Sequence, residues 1–194
     1  MKGCRPLSEE EVNQILNSFS GKFAQRDKAL FLMGVRSGFR ISELLSLQVK
    51  DIIQHGKVVE KVNVERKYMK KKTEGRTVRL NPLASQALLT WLGDLNELHP
   101  ITSETFIFQS RKGSNKPLST RGAQKFFQKA CDACGLTGKT GTHSMRKTYA
   151  NKAYEHFNGD ILKVQKALGH KNINSTTKYI SFKEEEIDEF VMSM

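Results

Sequence analysis

His143-Ser144-Met145-Arg146 sets an imidazole and a guanidinium three residues apart, on one face of a helix or of its first turn. Gly38-Phe39-Arg40-Ile41-Ser42-Glu43-Leu44 supplies a second arginine with a carboxylate on the next turn. Leu168-Gly169-His170-Lys171-Asn172 adds a second imidazole at a helix boundary, and Ser175-Thr176-Thr177-Lys178-Tyr179 puts a phenol nine residues beyond it. The residue types are complementary. Guanidinium forks hold anionic oxygens with permanent charge, imidazoles pass protons near neutral pH, and a phenol can act as a nucleophile. Taken singly, each has an ordinary use: a capped or core histidine, a solvated arginine at a helix start, an interface tyrosine. Only the set carries information. His55, His99 and His156 match no such pattern and read as surface or packing residues.

The elements that must position these groups read mainly as helices with a short strand-rich middle. Ser8 and Glu11 form a capping box, Leu7 and Val12 are spaced as a hydrophobic staple, and a helix to about Phe19 follows. Phe23 to Val35 is apolar enough for a buried helix stopped by Ser37-Gly38, and Ile41 to Leu47 forms a third, so Arg40 sits at a helix start. Val58, Val62 and Val64, with Thr77-Val78 across the turn Thr73-Glu74-Gly75, predict strands of a small sheet. Leu83, Ala87, Leu88, Trp91, Leu92, Leu95 and Leu98 recur at helical spacing, with Trp91 read as core. Arg111 to Pro117 is a basic loop, and Ser119 or Thr120 caps a helix to about Cys134. Further helical pieces are expected at Ser144–His156, Asp160–Leu168 and Ser175–Ile180. Ile187, Phe190, Val191 and Met194 then form one apolar stripe on an acidic terminal helix. It either packs on its own domain or docks on a neighbouring subunit.

The chain has 194 residues, of which 38% are hydrophobic and 27% charged, the range of an ordinary globular domain. Its longest apolar run, Ala29 to Val35, is far short of the ~18 residues of a membrane span. A net charge of +12 favours a polyanionic partner. Nine basic and three acidic residues lie between Lys57 and Arg79, and six basic and no acidic ones between Arg111 and Lys129. Residues 183–194 instead carry five acids and one lysine. Three cysteines without a signal peptide fit a reducing compartment, so the cytoplasm is the expected location. Cys131 and Cys134 stand as a lone CxxC pair with no second pair to complete a metal site, and read as small residues near a helix end.

Taken together, these stretches resemble the catalytic domain of the tyrosine recombinases, the phage integrase family, over about Arg5 to Phe182. The family pattern is an arginine in G-x-R-x-x-E-L, a lysine on a β-hairpin, H-x-x-R, a histidine or tryptophan after L-G, and a tyrosine near the end. Here Arg40, Lys72, His143 with Arg146, His170 and Tyr179 match in order, and Glu43 matches the supporting acidic position. Lys72 is chosen over its neighbours Lys70 and Lys71 because Lys72 to Val78 looks most like the family's hairpin. The resemblance implies an α+β, mainly α-helical catalytic domain with a small antiparallel sheet over residues 1–182. Residues 183–194 would be a C-terminal amphipathic acidic helix. The N-terminal core-binding domain of larger members is expected to be absent, the chain being an excised fragment or a short recombinase, with weak, salt-sensitive DNA affinity.

The chemistry implied is tyrosine attack on a phosphodiester to give a 3′-phosphotyrosyl intermediate, without metal, other cofactor or ATP. Arg40 and Arg146 would hold the nonbridging oxygens, His143 and His170 would hydrogen-bond and manage the tyrosine proton, and Lys72 would protonate the departing 5′ oxygen. The implied partner is double-stranded DNA, with four protomers on two sites and a possible monomer without DNA. Lys70, Lys71, Arg76, Arg111, Lys112, Arg121 and Lys147 are the expected DNA-binding residues. Site-specific integration, excision or inversion of a mobile element is the leading expectation. DNA relaxation of the type IB topoisomerase kind and a DNA-binding regulator on the same fold are the alternatives.

Overall fold

The computed structural model describes residues 3–64, 76–180 and 190–194. The chain divides into two units, Met1–Tyr149 and Ala150–Met194. The expected class is what forms: helices with small antiparallel sheets.

The first unit is organised around α2 (Ala24–Ser37), whose two faces enter different cores. Ala29, Leu30 and Met33 join one cluster with Phe39, Leu44, Trp91 and Phe108, while Phe31 and Val35 join Leu7, Val12, Phe127 and Met145 in another. Burial on both faces explains why this stretch reads as continuously apolar rather than striped. Before it comes α1 (Glu9–Ser18), where the Ser8 hydroxyl accepts from the Glu11 N–H and the Glu11 carboxylate accepts from the Ser8 N–H. Leu7 and Val12 are both buried in the second cluster, as the staple requires. After α2 come α3 (Ile41–Ser46) and the single turn α4 (Val49–Ile52).

Two hairpins follow instead of one sheet. β1 (Ile53–Gln54) pairs with β2 (Lys57–Val58) around His55-Gly56, so Val58 faces Ile53 and does not join Val62 and Val64. β3 (Lys61–Val64) pairs with β4 (Arg76–Arg79), burying Val62, Val64 and Val78. The predicted turn Thr73-Glu74-Gly75 lies outside the described residues. The long helix is α5 (Pro82–Leu98), capped by Asn81 and packed on α2. Its core face is narrower than the apolar stripe: Leu88, Trp91, Leu92 and Leu95 are buried, but Leu83 and Leu98 are exposed at the two helix ends. Trp91 is core, with its indole N–H donating to the Ile107 carbonyl at 2.7 Å. Ser119 caps α6 (Thr120–Ala133) through the Gly122 N–H.

α7 (Thr142–His156) begins two residues before Ser144 and runs on into the second unit. There Asp160 caps α8 (Ile161–Leu168), whose C-terminus closes on Gly169 at φ 61°. The next helix, α9 (Ile173–Thr177), starts and ends earlier than expected because the Asn172 side chain accepts the Asn174 N–H and caps it. Tyr179 therefore lies on the turn beyond α9. Among the described residues no helix is long and apolar enough to cross a membrane.

Candidate active site

In the first unit, two of the predicted arginines are fixed by a short polar network. Arg40 is the residue before α3, 27% exposed, with Nη1 donating to Glu43 Oε1 at 2.7 Å and its backbone N–H to Oε2 at 2.8 Å. The second contact is a helix-cap bond, so the carboxylate that starts α3 also orients the arginine. Arg76, the first residue of β4, reaches the same carboxylate: Nη2 donates to Oε2 at 2.6 Å and Nε to Oε1 at 3.3 Å. Its Nη2 also donates to the Gly38 carbonyl at 3.2 Å, and that carbonyl accepts from Arg146 Nη1.

Gly38 is the pivot. It ends α2 with φ 63°, in the left-handed region, and a Cβ there would lie 2.4 Å from the Tyr149 ring. Only glycine turns the chain here while leaving room for that ring. Arg146 and Tyr149 come from one face of α7, three residues apart. The helix is anchored by Met145 against Gly34 and by Thr148, whose hydroxyl accepts the Leu7 N–H at 2.8 Å.

The electrostatics follow from this geometry. Burial alone would push the Glu43 carboxyl up, but Arg76 by hydrogen bond and charge, the Arg40 N–H and the Arg40 charge outweigh it and hold the carboxyl at about 2. It is ionised at any working pH. His143, in the first turn of α7, retains exposed surface, yet its pKa is lowered by partial burial and then by the charges of Arg146, Lys147 and Arg40. Those charges bring His143 and both arginines into one electrostatic neighbourhood, where the imidazole is neutral and able to accept a proton at pH 7.

The second unit builds its own pair. The buried Thr176 hydroxyl lies 3.0 Å from His170 Nδ1, while the Thr176 carbonyl accepts the Tyr179 N–H at 2.9 Å. One residue thus sets both. The two rings lie 5.3 Å apart at an interplanar angle of 56°, and Asn151 Nδ2 donates to the Tyr179 carbonyl at 2.9 Å. His170 is also held through its backbone, donating to the Gln165 carbonyl and accepting from Gln165 Nε2, both at 3.0 Å.

Lys72, with Lys70 and Lys71, lies outside the described residues. Arg111, Lys112 and Arg121 are exposed, Arg111 standing over the Phe23 ring at 5.2 Å, and Lys147 is half-buried. Arg76, expected on the DNA-facing surface, turns inward and its side chain is only 10% exposed. Gly38 is the helix stop and motif glycine read from the sequence, whereas Tyr149 in the first unit, and Asn151 and Thr176 in the second, have no signal there that assigns them a role. His55 and His156 are exposed and His99 bonds Gln109 at 3.1 Å. Cys131 and Cys134 are free thiols, and no cluster of metal-binding side chains occurs among the described residues.

The sequence model of the phage integrase family matches residues 5–186. The chain is 30% identical to the tyrosine recombinase XerC of Caldanaerobacter subterraneus over 95% of its own length and 49% of that protein. It is also 30% identical to a probable integrase/recombinase, YoeC, of Bacillus subtilis, over 93% of this chain and 91% of the relative. Among solved structures, a XerH site-specific recombinase bound to palindromic difH substrate in a post-cleavage complex superposes with a TM-score of 0.74 and 26% identity. That match covers 96% of this chain and 51% of XerH. The chain therefore spans about half the length of the XerC and XerH relatives.

Proposed function

Because the chain belongs to the phage integrase family, we propose that it is a tyrosine-type site-specific recombinase that cuts and rejoins double-stranded DNA. The observation that carries this reading is the network in which Glu43 and the Gly38 carbonyl hold the family's two arginines, Arg40 and Arg146. In this reading Tyr179 Oη attacks the scissile phosphorus, the bond to the 5′ oxygen breaks, and a 3′-phosphotyrosyl ester forms. Arg40 and Arg146 hold the nonbridging oxygens as negative charge develops on them. The neutral His143 takes up the phenol proton, His170 adds a hydrogen bond, and Lys72 protonates the departing oxygen. Attack by a 5′ hydroxyl on the ester reverses the step and joins a strand without ATP, since the phosphoester bond is conserved.

The substrate is double-stranded DNA and the product a rearranged junction: integration, excision or inversion. Phosphate contacts come from Arg111, Lys112, Arg121 and Lys147, together with Lys70 and Lys71. Four protomers act on two sites, and residues 183–194 dock on a neighbour. Phe190, Val191 and Met194 support the last point, being 63%, 62% and 92% exposed; Ile187 of the same stripe lies outside the described residues. Removing residues 183–194 is expected to abolish synapsis in a gel-shift assay while leaving cleavage on a single site; intact synapsis rejects the docking role. The cytoplasm, where DNA and a reducing environment meet, is the working compartment.

The test is a nicked suicide DNA, from which cleavage releases a short fragment, incubated with wild type and with Tyr179→Phe in the absence of metal. A denaturant-resistant adduct with wild type alone is the expected result. An adduct with Tyr179→Phe as well rejects Tyr179 as the nucleophile. Binding without cleavage across a panel of sites favours a regulator, and relaxation of supercoiled DNA without strand exchange favours a topoisomerase-like activity.

A further inference from the structure

Arg76 lies at the start of β4, opposite Val64, on the strand that leads away from the lysine-bearing segment. A basic residue in so basic a stretch is expected to meet DNA phosphates. Its guanidinium instead points inward and touches both acceptors that organise the arginine clamp. It donates twice to Glu43, the carboxylate that orients Arg40, and once to the Gly38 carbonyl, which also accepts from Arg146. The buried Phe39 ring lies 5.7 Å from its Cζ and closes the remaining side.

We propose that Arg76 is a positioning residue that sets the geometry of Arg40 and Arg146 by clamping the Glu43 carboxylate and the Gly38 carbonyl together. The argument is one of shape. Glu43 receives donors from Arg40 on one side and Arg76 on the other, so its carboxylate cannot rotate about its own axis without breaking a charged hydrogen bond. Gly38 sits between two donors in the same way. A guanidinium spans the two acceptors because its nitrogens are fixed in a planar fork; an ammonium, a point charge on a flexible stem, bonds one and leaves the other. Arg76 acts through these neighbours and needs no contact with the phosphate.

This inference rests on the recombinase reading above, and its test separates the two. Single-turnover cleavage of the suicide DNA is measured for wild type, Arg76→Lys and Arg76→Gln, alongside thermal unfolding of each protein. A second DNA carries a neutral methylphosphonate at the scissile position, which removes one of the negative charges that the clamp must hold. Arg76→Lys keeps the buried charge opposite Glu43 and Arg76→Gln keeps a donor, so at least one folded variant is available for comparison. A clamp displaced by about an ångström is expected to slow phosphodiester cleavage by about 10- to 100-fold, and the defect is expected to shrink to about threefold or less on the methylphosphonate. Equal losses on both substrates in a folded variant mean that Arg76 only supports the fold, and overturn the proposal. Wild-type rates on both substrates overturn it as well. If wild type itself forms no adduct, the recombinase reading fails and this one with it, whereas an active wild type and unaffected variants reject the role of Arg76 alone.

Discussion

Replacing Glu43 with glutamine keeps the shape of the side chain and removes its charge. In the folded protein its carboxyl titrates at about 2, against 4.5 for the free side chain, and only 1% of the side chain is exposed, so solvent screens the pair little. That difference corresponds to about 3 kcal/mol of stability supplied by the ionised form at neutral pH. The sign follows from a depressed acid: the contribution is complete above the unfolded value of 4.5 and disappears as pH falls through the folded value of about 2. At pH 3 about two-fifths of it remains, so the gap between wild type and Glu43→Gln should narrow by about 2 kcal/mol between pH 7 and pH 3. Urea unfolding of both proteins at the two pH values measures this. Carboxylates elsewhere titrate alike in the two proteins and cancel in the comparison. A gap that is the same at both pH values refutes the reasoning, because it means that the loss does not come from an ionised carboxylate held by Arg76 and Arg40.

Gly38→Ala should destabilise by about 2–3 kcal/mol, combining a left-handed backbone with a Cβ driven into the Tyr149 ring, and should also slow cleavage. Gly21→Ala, also at positive φ but with nothing within 4 Å, is the control and should cost about 1 kcal/mol on chemical unfolding. His143 has a pKa held below its ordinary value by burial and then by the charges of Arg146, Lys147 and Arg40. If its neutral form accepts the phenol proton, cleavage falls away only at pH below that of an ordinary imidazole. Lys147→Gln, which deletes one of the lowering charges, should move this acid limb toward higher pH in a single-turnover pH profile.

Several signals were legible where a residue's partner is near it in sequence. The Ser8–Glu11 box and the Gly169 helix boundary each involve atoms a few residues apart, and the helix ends there follow the chemistry closely. The same holds for Arg40 and Glu43, whose pairing is written into the first turn of α3. The rest depends either on a distant partner or on a local choice among near-equivalent residues. Arg76 is 33 residues from Glu43, so its charge looked available for DNA when it is engaged inside the protein. Val58 has the β-branched side chain of its neighbours, but the left-handed His55-Gly56 turn folds it back on Ile53 in a separate hairpin. Thr176 is one of three consecutive hydroxyl residues, and nothing in their order says which hydroxyl points at His170. The neighbours of Tyr179 favour a helix, but the Asn172 cap shifts that helix toward the N-terminus and leaves Tyr179 on the turn.

Two guanidiniums, from Arg40 and Arg76, share the Glu43 carboxylate in the first unit, and a third, from Arg146, joins them through the Gly38 carbonyl that Arg76 also bonds. The unliganded cluster therefore holds an excess of two positive charges, with Arg40 the most exposed of the three. A phosphodiester brings one negative charge in the ground state, and the pentacoordinate arrangement produced by attack of an oxyanion brings two. In the proposed reaction the guanidiniums would therefore face more negative charge on the phosphoryl oxygens in the transition state than in the bound substrate, which is the condition for speeding a reaction rather than only tightening binding. Glu43 then has a purpose beyond holding Arg40. Without it, three positive charges would face one another in a poorly solvated space, and their mutual repulsion would splay the guanidinium forks. With it, the cluster stays compact, and in the proposed reaction its remaining positive charge faces the phosphate.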